Sequence, residues 1–304
     1  MSDIIIVNNL VKYYKDIKAV DDISFRVKEG SLFAFLGENG AGKSTTINVL
    51  CTVLEKTSGK VFIDGLDLDH DANKIRNLIG IVFQNSVLDD TLTIKENLLI
   101  RASYYGMNKI ESLQRIDILD KKLGLNDILN RKYQSLSGGQ RRRADIARAL
   151  IHDPKILFLD EPTTGLDPKT RKIVWQTINS LRQEEKLTVF LTTHYMEETL
   201  NADEVVIIDH GHITACDTPA GLKTTYTSNR LLWYTNKASE FDDLLISNGF
   251  KFEYSVDSYK IYFDSYDKII EFIYKNKNIV NNFEVIKGDM DDVFLNVTGK
   301  ELDL

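Results

Sequence analysis

Short runs of β-branched and aromatic residues, each ending near Gly, Asp or Asn, dominate the first 84 positions of the chain. Such runs are typical of β-strands, because these side chains pack well on a pleated, half-buried surface. A helical spacing interrupts them after Gly42 and predicts one helix that reaches about Leu54. The predicted strands cover residues 4–7, 23–27, 32–36, 60–63 and 79–83.

Apolar residues recur three or four positions apart between residues 91 and 131, which predicts a helical insert. Another helix is expected over residues 138–150, followed by continuous apolar strands at 156–159 and 188–191. Strands without polar alternation suit a parallel sheet that is covered on both faces. This part of the chain therefore predicts an α/β domain.

The composition shifts near Pro219, and the stretch from 221 to 304 holds about half of the chain's aromatic residues. Its predicted elements follow the split βαβ order of strand, helix, two strands, helix and strand. We expect a small α+β domain here, for which a ferredoxin-like fold is one candidate, followed by a short amphipathic helix over 290–295. Because aromatic residues more often fill cores than bind ligands, its expected role is packing and dimer stabilisation. The predicted elements cover residues 230–234, 240–247, 251–256, 260–264, 267–275 and 283–286.

Length and charge narrow the possible classes of protein. A chain of 304 residues with a net charge of −7 offers no overall basic field for nucleic acid. Cys51 and Cys216 lie far apart, so neither a zinc site nor a disulfide framework is expected. No apolar run approaches the ~20 residues that span a bilayer, and no basic leader marks a signal peptide. The expected location is the cytoplasm.

Residues 37–45 read GENGAGKST and fit the phosphate-binding pattern G-x-x-x-x-G-K-[ST], between a predicted strand and a predicted helix. Glycines let the backbone approach a ligand closely, and the N–H groups of the loop then face phosphates. We expect Lys43 to bridge the β- and γ-phosphates of ATP and Ser44 to hold Mg²⁺. The predicted nucleotide-binding residues of this loop are Gly37, Asn39, Gly40, Ala41, Gly42, Lys43, Ser44 and Thr45.

Two acidic residues, Asp160 and Glu161, end the apolar strand at 156–159. The carboxyl end of a buried strand is where ligand crevices form in α/β proteins. Asp160 is expected to hold Mg²⁺ and Glu161 to point at an attacking water.

A Leu-Ser-Gly-Gly-Gln run lies at 136–140, at the start of a predicted helix. A helix start with a hydroxyl group and bare backbone N–H groups forms a second anion site, although the run alone also fits an ordinary N-cap. One nucleotide does not need two such sites from the same molecule. The run therefore predicts a pocket shared between two chains, with Ser137, Gly138, Gly139 and Gln140 as nucleotide-binding residues.

Together these motifs resemble the ATP-binding-cassette (ABC) ATPases over about residues 4–220. The resemblance implies a P-loop NTPase fold with a mixed sheet core, an antiparallel β subdomain and a helical subdomain at about 86–150. It divides the chain into a nucleotide-binding domain at 1–220 and an accessory domain at 221–304. In this family two cassettes pack head to tail, so a second copy or a related cassette is an expected partner.

The resemblance also assigns four residues that the motifs above do not contain. Tyr14 matches the aromatic residue that stacks on adenine, although the adjacent Tyr13 competes for this role. Gln84 matches the glutamine that reaches Mg²⁺ and water. Asp167 matches a loop that touches the opposite cassette, and His194 matches the histidine that contacts the γ-phosphate. The implied catalytic residues are Glu161, His194, Gln84 and Lys43, and the implied metal ligands are Ser44, Gln84 and Asp160.

The segments at 193–198, 207–211 and 290–299 are similar to the daunorubicin-resistance branch of drug exporters. This similarity implies ATP hydrolysis coupled to export of a drug, lipid or other small molecule through a separate permease. The chain would then lie at the inner face of the cell membrane. Two alternatives stay open: an importer ATPase with a regulatory C-terminal domain, and a soluble ABC protein that acts on ribosomes or DNA.

Two further groups of residues receive ordinary structural interpretations. The run Arg141–Arg143 spreads around a helix axis, so no nucleic-acid contact is expected. The histidines at 70, 152, 210 and 212 lie in turn-like or charged contexts and are expected at the surface.

Overall fold

The computed structural model describes residues 2–299, which form two compact units: the first ends at Cys216 and the second begins at Asp217. Residues 300–304 of the predicted accessory domain lie outside the described residues, as does Met1. Within residues 2–299, no helix combines the length and the apolar character that are needed to traverse a lipid bilayer.

The first unit contains ten strands and six helices in the described part of the chain. The strands are β1 (Asp3–Tyr14), β2 (Ile17–Lys28), β3 (Leu32–Leu36), β4 (Ser58–Ile63), β5 (Leu66–Asp67), β6 (Ile79–Val82), β7 (Ile156–Asp160), β8 (Thr188–Thr193), β9 (Glu204–Asp209) and β10 (His212–Asp217). The helices are α1 (Lys43–Leu50), α2 (Ala72–Leu78), α3 (Ile94–Ser103), α4 (Lys109–Leu123), α5 (Gly138–Leu150) and α6 (Pro168–Glu185).

A six-stranded sheet in the order β10-β9-β3-β8-β7-β6 forms the centre of this unit. The pairs between β9 and β6 are parallel, whereas β10 follows β9 after two residues, a connection that only an antiparallel pair allows. Every residue of β3, β7 and β8 is buried, as their continuous apolar pattern predicts. The carboxyl ends of the parallel strands meet at one edge, so the segments that follow them can form one site.

A second, antiparallel sheet in the order β2-β1-β4-β5 packs beside the central one. A single core of buried residues joins the two sheets. In it the ring of Phe25 lies 5.4 Å from that of Phe33, which lies 5.2 Å from that of Phe190. The α/β fold class with a mixed central sheet and an antiparallel β subdomain is therefore confirmed.

The insert between β6 and β7 is helical, as its spacing predicts, and contains α3, α4 and α5. Each of these helices begins with a capping box, at Thr93, Asn108 and Ser137 respectively. This reciprocal bonding satisfies N–H groups that a helix start leaves free, so the sequence itself marks where each helix begins.

Some helices differ from the sequence prediction. Helix α1 ends at Leu50, four residues before the predicted end, because the chain turns at Cys51. Helix α2 is absent from the prediction, since Ile75 is its only buried residue and leaves no apolar periodicity.

The second unit follows the predicted order of strand, helix, two strands, helix and strand between 229 and 287. Its four strands are β11 (Asn229–Tyr234), β12 (Lys251–Ser255), β13 (Ser258–Phe263) and β14 (Phe283–Lys287). They are all paired antiparallel, in the order β12-β13-β11-β14, so β13 lies between β11 and β12. Aromatic side chains, Trp233 and Tyr259 among them, supply much of its core. Its helices in the described residues are α7 (Pro219–Tyr226), α8 (Ser239–Ser247), α9 (Tyr266–Lys275) and α10 (Met290–Thr298).

Candidate functional site

The loop between β3 and α1 is shaped by two glycines that no larger residue could replace without a clash. A Cβ atom on Gly37 would lie 2.4 Å from the carbonyl oxygen of Ile208. Gly42 has a φ of +110°, and its Cβ would lie 2.5 Å from the carbonyl oxygen of Ala19. Helix α1 begins directly after Gly42. The loop therefore presents the start of a helix at the edge of the central sheet, a position that favours anions.

The Lys43 ammonium group lies inside this loop, with only 4% of the residue exposed. Its Nζ donates to the carbonyl oxygens of Gly37 at 2.8 Å and of Glu38 at 2.9 Å, and lies 3.6 Å from Oε1 of Glu161. Burial lowers the pKa of Lys43, and the charges of Glu161 and Asp160 oppose that shift. A cation is thus held where phosphate groups would meet the loop.

Asp160 is the last residue of β7, and its carboxylate joins two neighbouring segments. Its Oδ1 accepts hydrogen bonds from the hydroxyl of Thr192 at 2.5 Å and from that of Ser44 at 3.4 Å. Burial raises the pKa of Asp160, and the hydrogen bond from Thr192 opposes this shift. The pair Ser44 and Asp160 therefore places two oxygen donors side by side.

Glu161 is the point where the segments after the parallel strands converge. Its Oε2 accepts hydrogen bonds from Nε2 of Gln84 at 3.0 Å and from the hydroxyl of Thr164 at 3.2 Å. Its Oε1 lies 3.2 Å from Nδ1 of His194 and 3.6 Å from Lys43 Nζ. The structure thus brings together six of the residues that the sequence singles out: Lys43, Ser44, Gln84, Asp160, Glu161 and His194.

The donor chemistry of this cluster fits Mg²⁺. Ser44, Asp160 and Gln84 offer a hydroxyl, a carboxylate and an amide oxygen, and Mg²⁺ prefers oxygen ligands. Within the described residues, no group of three or more His, Cys, Asp and Glu side chains could hold a metal by itself. A site where Mg²⁺ is shared with substrate phosphates would need only one or two carboxylates from the protein.

The remaining predicted site residues have other partners. Tyr14 ends β1 with 45% of its surface exposed, and Lys12 Nζ lies 5.3 Å from its ring centroid. Ser137 and Gln140 form the capping box of α5, and Asp167 caps α6 through Thr170. A Cβ on Gly139 would lie 2.6 Å from Thr170, so packing against α6 requires glycine there. The start of α5 is thereby held beside the start of α6.

The Leu-Ser-Gly-Gly-Gln run at 136–140, which we call the signature run, is followed by the basic run Arg141–Arg143. One member of this basic run is not a solvated side chain. Arg142 is 6% exposed, and its guanidinium donates to the carbonyl oxygens of Phe83 at 2.7 Å and of Asp160 at 3.4 Å. Three positions further along α5, the carboxylate of Asp145 accepts from the hydroxyl of Ser86 at 2.5 Å. Burial raises the pKa of Asp145. Helix α5 is therefore tied to the segments that carry Gln84 and Glu161, a role that the Arg-rich pattern does not reveal.

The expected surface position of the histidines is wrong for one of the four. His152 stacks on Tyr105 with a centroid distance of 3.8 Å, and its Nε2 lies 3.0 Å from the carbonyl oxygen of Ile79. Burial lowers the pKa of His152 to about 4. The other three, His70, His210 and His212, are exposed as predicted.

The fold and the cluster at the strand ends define a nucleotide-binding cassette of the P-loop class. The family model described as ABC transporter matches residues 20–164. The daunorubicin/doxorubicin resistance ATP-binding protein DrrA of Streptomyces peucetius is 39% identical over 74% of this chain and 68% of its own. The Nod factor export ATP-binding protein I of Rhizobium etli is 32% identical over 97% of this chain and 93% of its own. The chain belongs to the ABC transporter family.

Two further comparisons show how far the likeness extends. The probable multidrug ABC transporter ATP-binding protein YbhF of Escherichia coli is 38% identical over 70% of this chain, but the match spans only 37% of YbhF. Among solved structures, the dimeric structure of the cassette MJ0796 superposes with a TM-score of 0.65 and 31% identity, over 70% of this chain and 98% of that one. The likeness to solved cassettes therefore covers somewhat more than two thirds of the chain.

Proposed function

We propose that this chain is the ATP-binding and ATP-hydrolysing subunit of an ABC exporter. The observation that carries the proposal is the Glu161 carboxylate, which contacts Lys43 at the start of α1, Gln84 after β6 and His194 after β8. Phosphate ligands, a metal site and a general base would thus meet at one point. The names of DrrA and of the Nod factor protein, which refer to drug resistance and to export, support the direction of transport.

Binding of ATP rests on the loop and on Lys43. We infer that the N–H groups at the start of α1 donate hydrogen bonds to the phosphate oxygens and that Lys43 leaves Glu161 to bridge the β- and γ-phosphates. Ser44, Asp160 and Gln84 would hold Mg²⁺, which supplies charge neutralisation on the phosphate oxygens when it is bound. Tyr14 is the residue proposed to stack on adenine.

Hydrolysis requires a water aligned with the γ-phosphorus. Once Lys43 moves to the phosphates, Oε1 of Glu161 is free to accept a hydrogen bond from that water and to polarise it. General acid–base catalysis by a positioned side chain typically accelerates a reaction roughly 10²–10⁴-fold. His194, which lies 3.2 Å from the same carboxylate, would contact the γ-phosphate as the bond to ADP breaks.

The signature run would act on the nucleotide of a second cassette. Ser137 is exposed at the start of α5. The hydrogen bonds of its capping box join it to Gln140 and not to the Glu161 cluster. In the dimeric form of MJ0796 two cassettes pair, which supports a paired arrangement for this chain. We infer that Ser137, Gly138, Gly139 and Gln140, with Asp167 beside them, complete the partner's pocket. Groups supplied in trans contribute about 10³–10⁵ in other P-loop enzymes.

The membrane part of the transporter would be a separate permease. YbhF is named as an ABC transporter ATP-binding protein and the Rhizobium etli relative as an export ATP-binding protein, and the described residues hold no helix that could traverse a bilayer. The proposed location is therefore the cytoplasmic face of the membrane, through contact with that permease. Selection of the transported molecule would be a property of that permease.

The shared pocket predicts how activity depends on protein concentration. The specific ATPase activity of the purified chain should rise with protein concentration and then level off, because only the dimer holds complete pockets. Steady-state phosphate release, measured from nanomolar to micromolar protein with saturating Mg-ATP, checks this. Constant specific activity down to the lowest concentration would show that one chain hydrolyses ATP without a partner.

A further inference from the structure

A second glutamate, Glu198, is buried beside the proposed site, and none of the steps above uses it. It belongs to a 3₁₀ turn, Met196–Thr199, and only 6% of it is exposed. The preceding residue, Glu197, has the same side chain but is 65% exposed at the side chain and pairs with Arg171 at 2.6 Å. Two adjacent glutamates thus have opposite environments, and a buried carboxylate persists only where its oxygens are satisfied.

Three uncharged donors from three segments satisfy the Glu198 carboxylate. The hydroxyl of Thr163 and Nε1 of Trp175, at 3.1 Å, donate to its Oε1. The hydroxyl of Thr193 donates to its Oε2 at 2.5 Å. A carboxylate accepts hydrogen bonds at both oxygens, whereas an amide of the same shape accepts at one only. The arrangement therefore fits a carboxylate better than any other side chain of this size.

Two of these donors adjoin the residues proposed for catalysis. Thr163 lies two positions after Glu161, and Thr193 immediately precedes His194. The Thr193 hydroxyl also accepts a hydrogen bond from the backbone N–H of Tyr195 at 2.9 Å. Glu198 consequently joins the loop that carries Glu161 to the strand end that carries His194.

The loop after β7 has a particular need for such a restraint. Glu161 has a φ of +45°, in the left-handed region that a non-glycine residue adopts only when its surroundings hold it there. Its backbone N–H donates to the carbonyl oxygen of Thr192 at 3.0 Å, and Thr163 is 1% exposed. The hydrogen bond from Thr163 to Glu198 anchors the other side of the same turn.

We propose that Glu198 is a positioning residue for ATP hydrolysis, which fixes Glu161 and His194 relative to each other without touching the nucleotide. The proposal rests on the function assigned above to Glu161. It predicts a selective effect on the chemical step. The three donors to Glu198, Thr163, Trp175 and Thr193, lie outside the phosphate-binding loop, which within the described residues meets this network through a single backbone hydrogen bond from Gly37 N–H to the carbonyl oxygen of Thr193 at 3.3 Å. ATP binding is therefore retained while hydrolysis slows. Displacement of a catalytic group by about 1 Å can cost 10²-fold in rate.

The test compares Glu198→Gln and Glu198→Ala with the matched control Glu197→Gln. For Glu198→Gln we expect kcat to fall about 10- to 100-fold while KM for ATP changes less than about 3-fold, because only the transition-state geometry is altered. Glu197→Gln should keep wild-type kcat. Thermal melting of each variant establishes that it is folded, and Glu198→Gln, which keeps the size of the side chain, carries the test if Glu198→Ala does not fold.

Addition of formate tests whether a carboxylate at this position is what the shortened variant lacks. A cavity of about 300 Å³ lined by Pro168, Trp175 and Glu198 adjoins the network, so a small carboxylate has room to enter when the side chain is shortened. Formate should raise kcat of Glu198→Ala several-fold and leave Glu161→Gln unchanged. Wild-type kcat in folded Glu198→Gln and Glu198→Ala would overturn the inference. Absence of ATPase activity in the wild-type chain would instead overturn the proposed function, and this inference with it.

Discussion

Replacement of Glu161 by glutamine should leave ATP binding intact and reduce turnover by about 10²–10⁴-fold, the range for loss of a positioned base. The amide keeps the shape of the side chain and can still contact Gln84 and Thr164. It cannot polarise water as a carboxylate does. The rate of phosphate release, together with equilibrium binding of ATP, measures the two effects separately.

The same variant should also change the oligomeric state. If hydrolysis is what removes the γ-phosphate shared by two cassettes, a chain that cannot hydrolyse ATP stays in the closed dimer. Size-exclusion chromatography with Mg-ATP should show a dimer for Glu161→Gln and mainly monomer for the wild-type chain after turnover. The role given to Glu161 is wrong if Glu161→Gln turns over at the wild-type rate.

Replacement of Lys43 by alanine should weaken ATP binding about 10- to 100-fold. Hydrogen bonds to charged groups contribute about 1.5–3 kcal/mol, and 1.4 kcal/mol corresponds to a tenfold change in affinity. Lys43 is buried against the loop carbonyls and next to Glu161, and it is the only lysine or arginine among residues 37–45. Hydrolysis should fall together with binding.

Isothermal titration with Mg-ATP, under conditions that prevent turnover, gives the affinity directly. Lys109→Ala is a suitable control, because Lys109 is exposed at the start of α4 and far in sequence from the loop. An unchanged dissociation constant for Lys43→Ala would contradict the placement of phosphates in the loop.

The parts of the site that follow local patterns could be predicted from the sequence. The loop at 37–45 has a recognisable spacing of glycines and lysine, and the structure shows why glycine is needed at Gly37 and Gly42, where a Cβ would meet backbone carbonyl oxygens. The acidic pair stands where the continuous apolar run of β7 ends, and Asp160 is the last residue of that strand. Helix α5 begins at Gly138, as predicted, because Ser137 and Gln140 form a capping box. The catalytic and binding roles of these residues stay predictions.

What the sequence did not reveal depends on contacts between distant segments. Glu198 looks like Glu197 in the sequence, and its burial follows from donors at 163, 175 and 193. Arg142 looks like its neighbours Arg141 and Arg143, and only its position opposite Phe83 and Asp160 distinguishes it. The surface position expected for His152 is wrong for the same reason, because Tyr105 and Ile79 contact its ring. The periodicity of apolar residues predicts which face of a helix is buried. It does not predict which polar groups of other segments contact that face.

The most direct test of the shared pocket mixes two inactive variants. Lys43→Ala removes the phosphate-binding lysine, and Ser137→Arg fills the space where the signature serine would meet a partner's nucleotide. In a mixed dimer, one pocket contains both substitutions. The other pocket contains neither, because the Ser137→Arg chain supplies its intact loop and the Lys43→Ala chain supplies its intact signature run. Mixing equal amounts should therefore restore about a quarter of wild-type activity, because half of the dimers are mixed and each has one good pocket. If the mixture stays as inactive as either variant alone, while both variants remain folded and able to dimerise, the pocket lies within a single chain and the account is wrong.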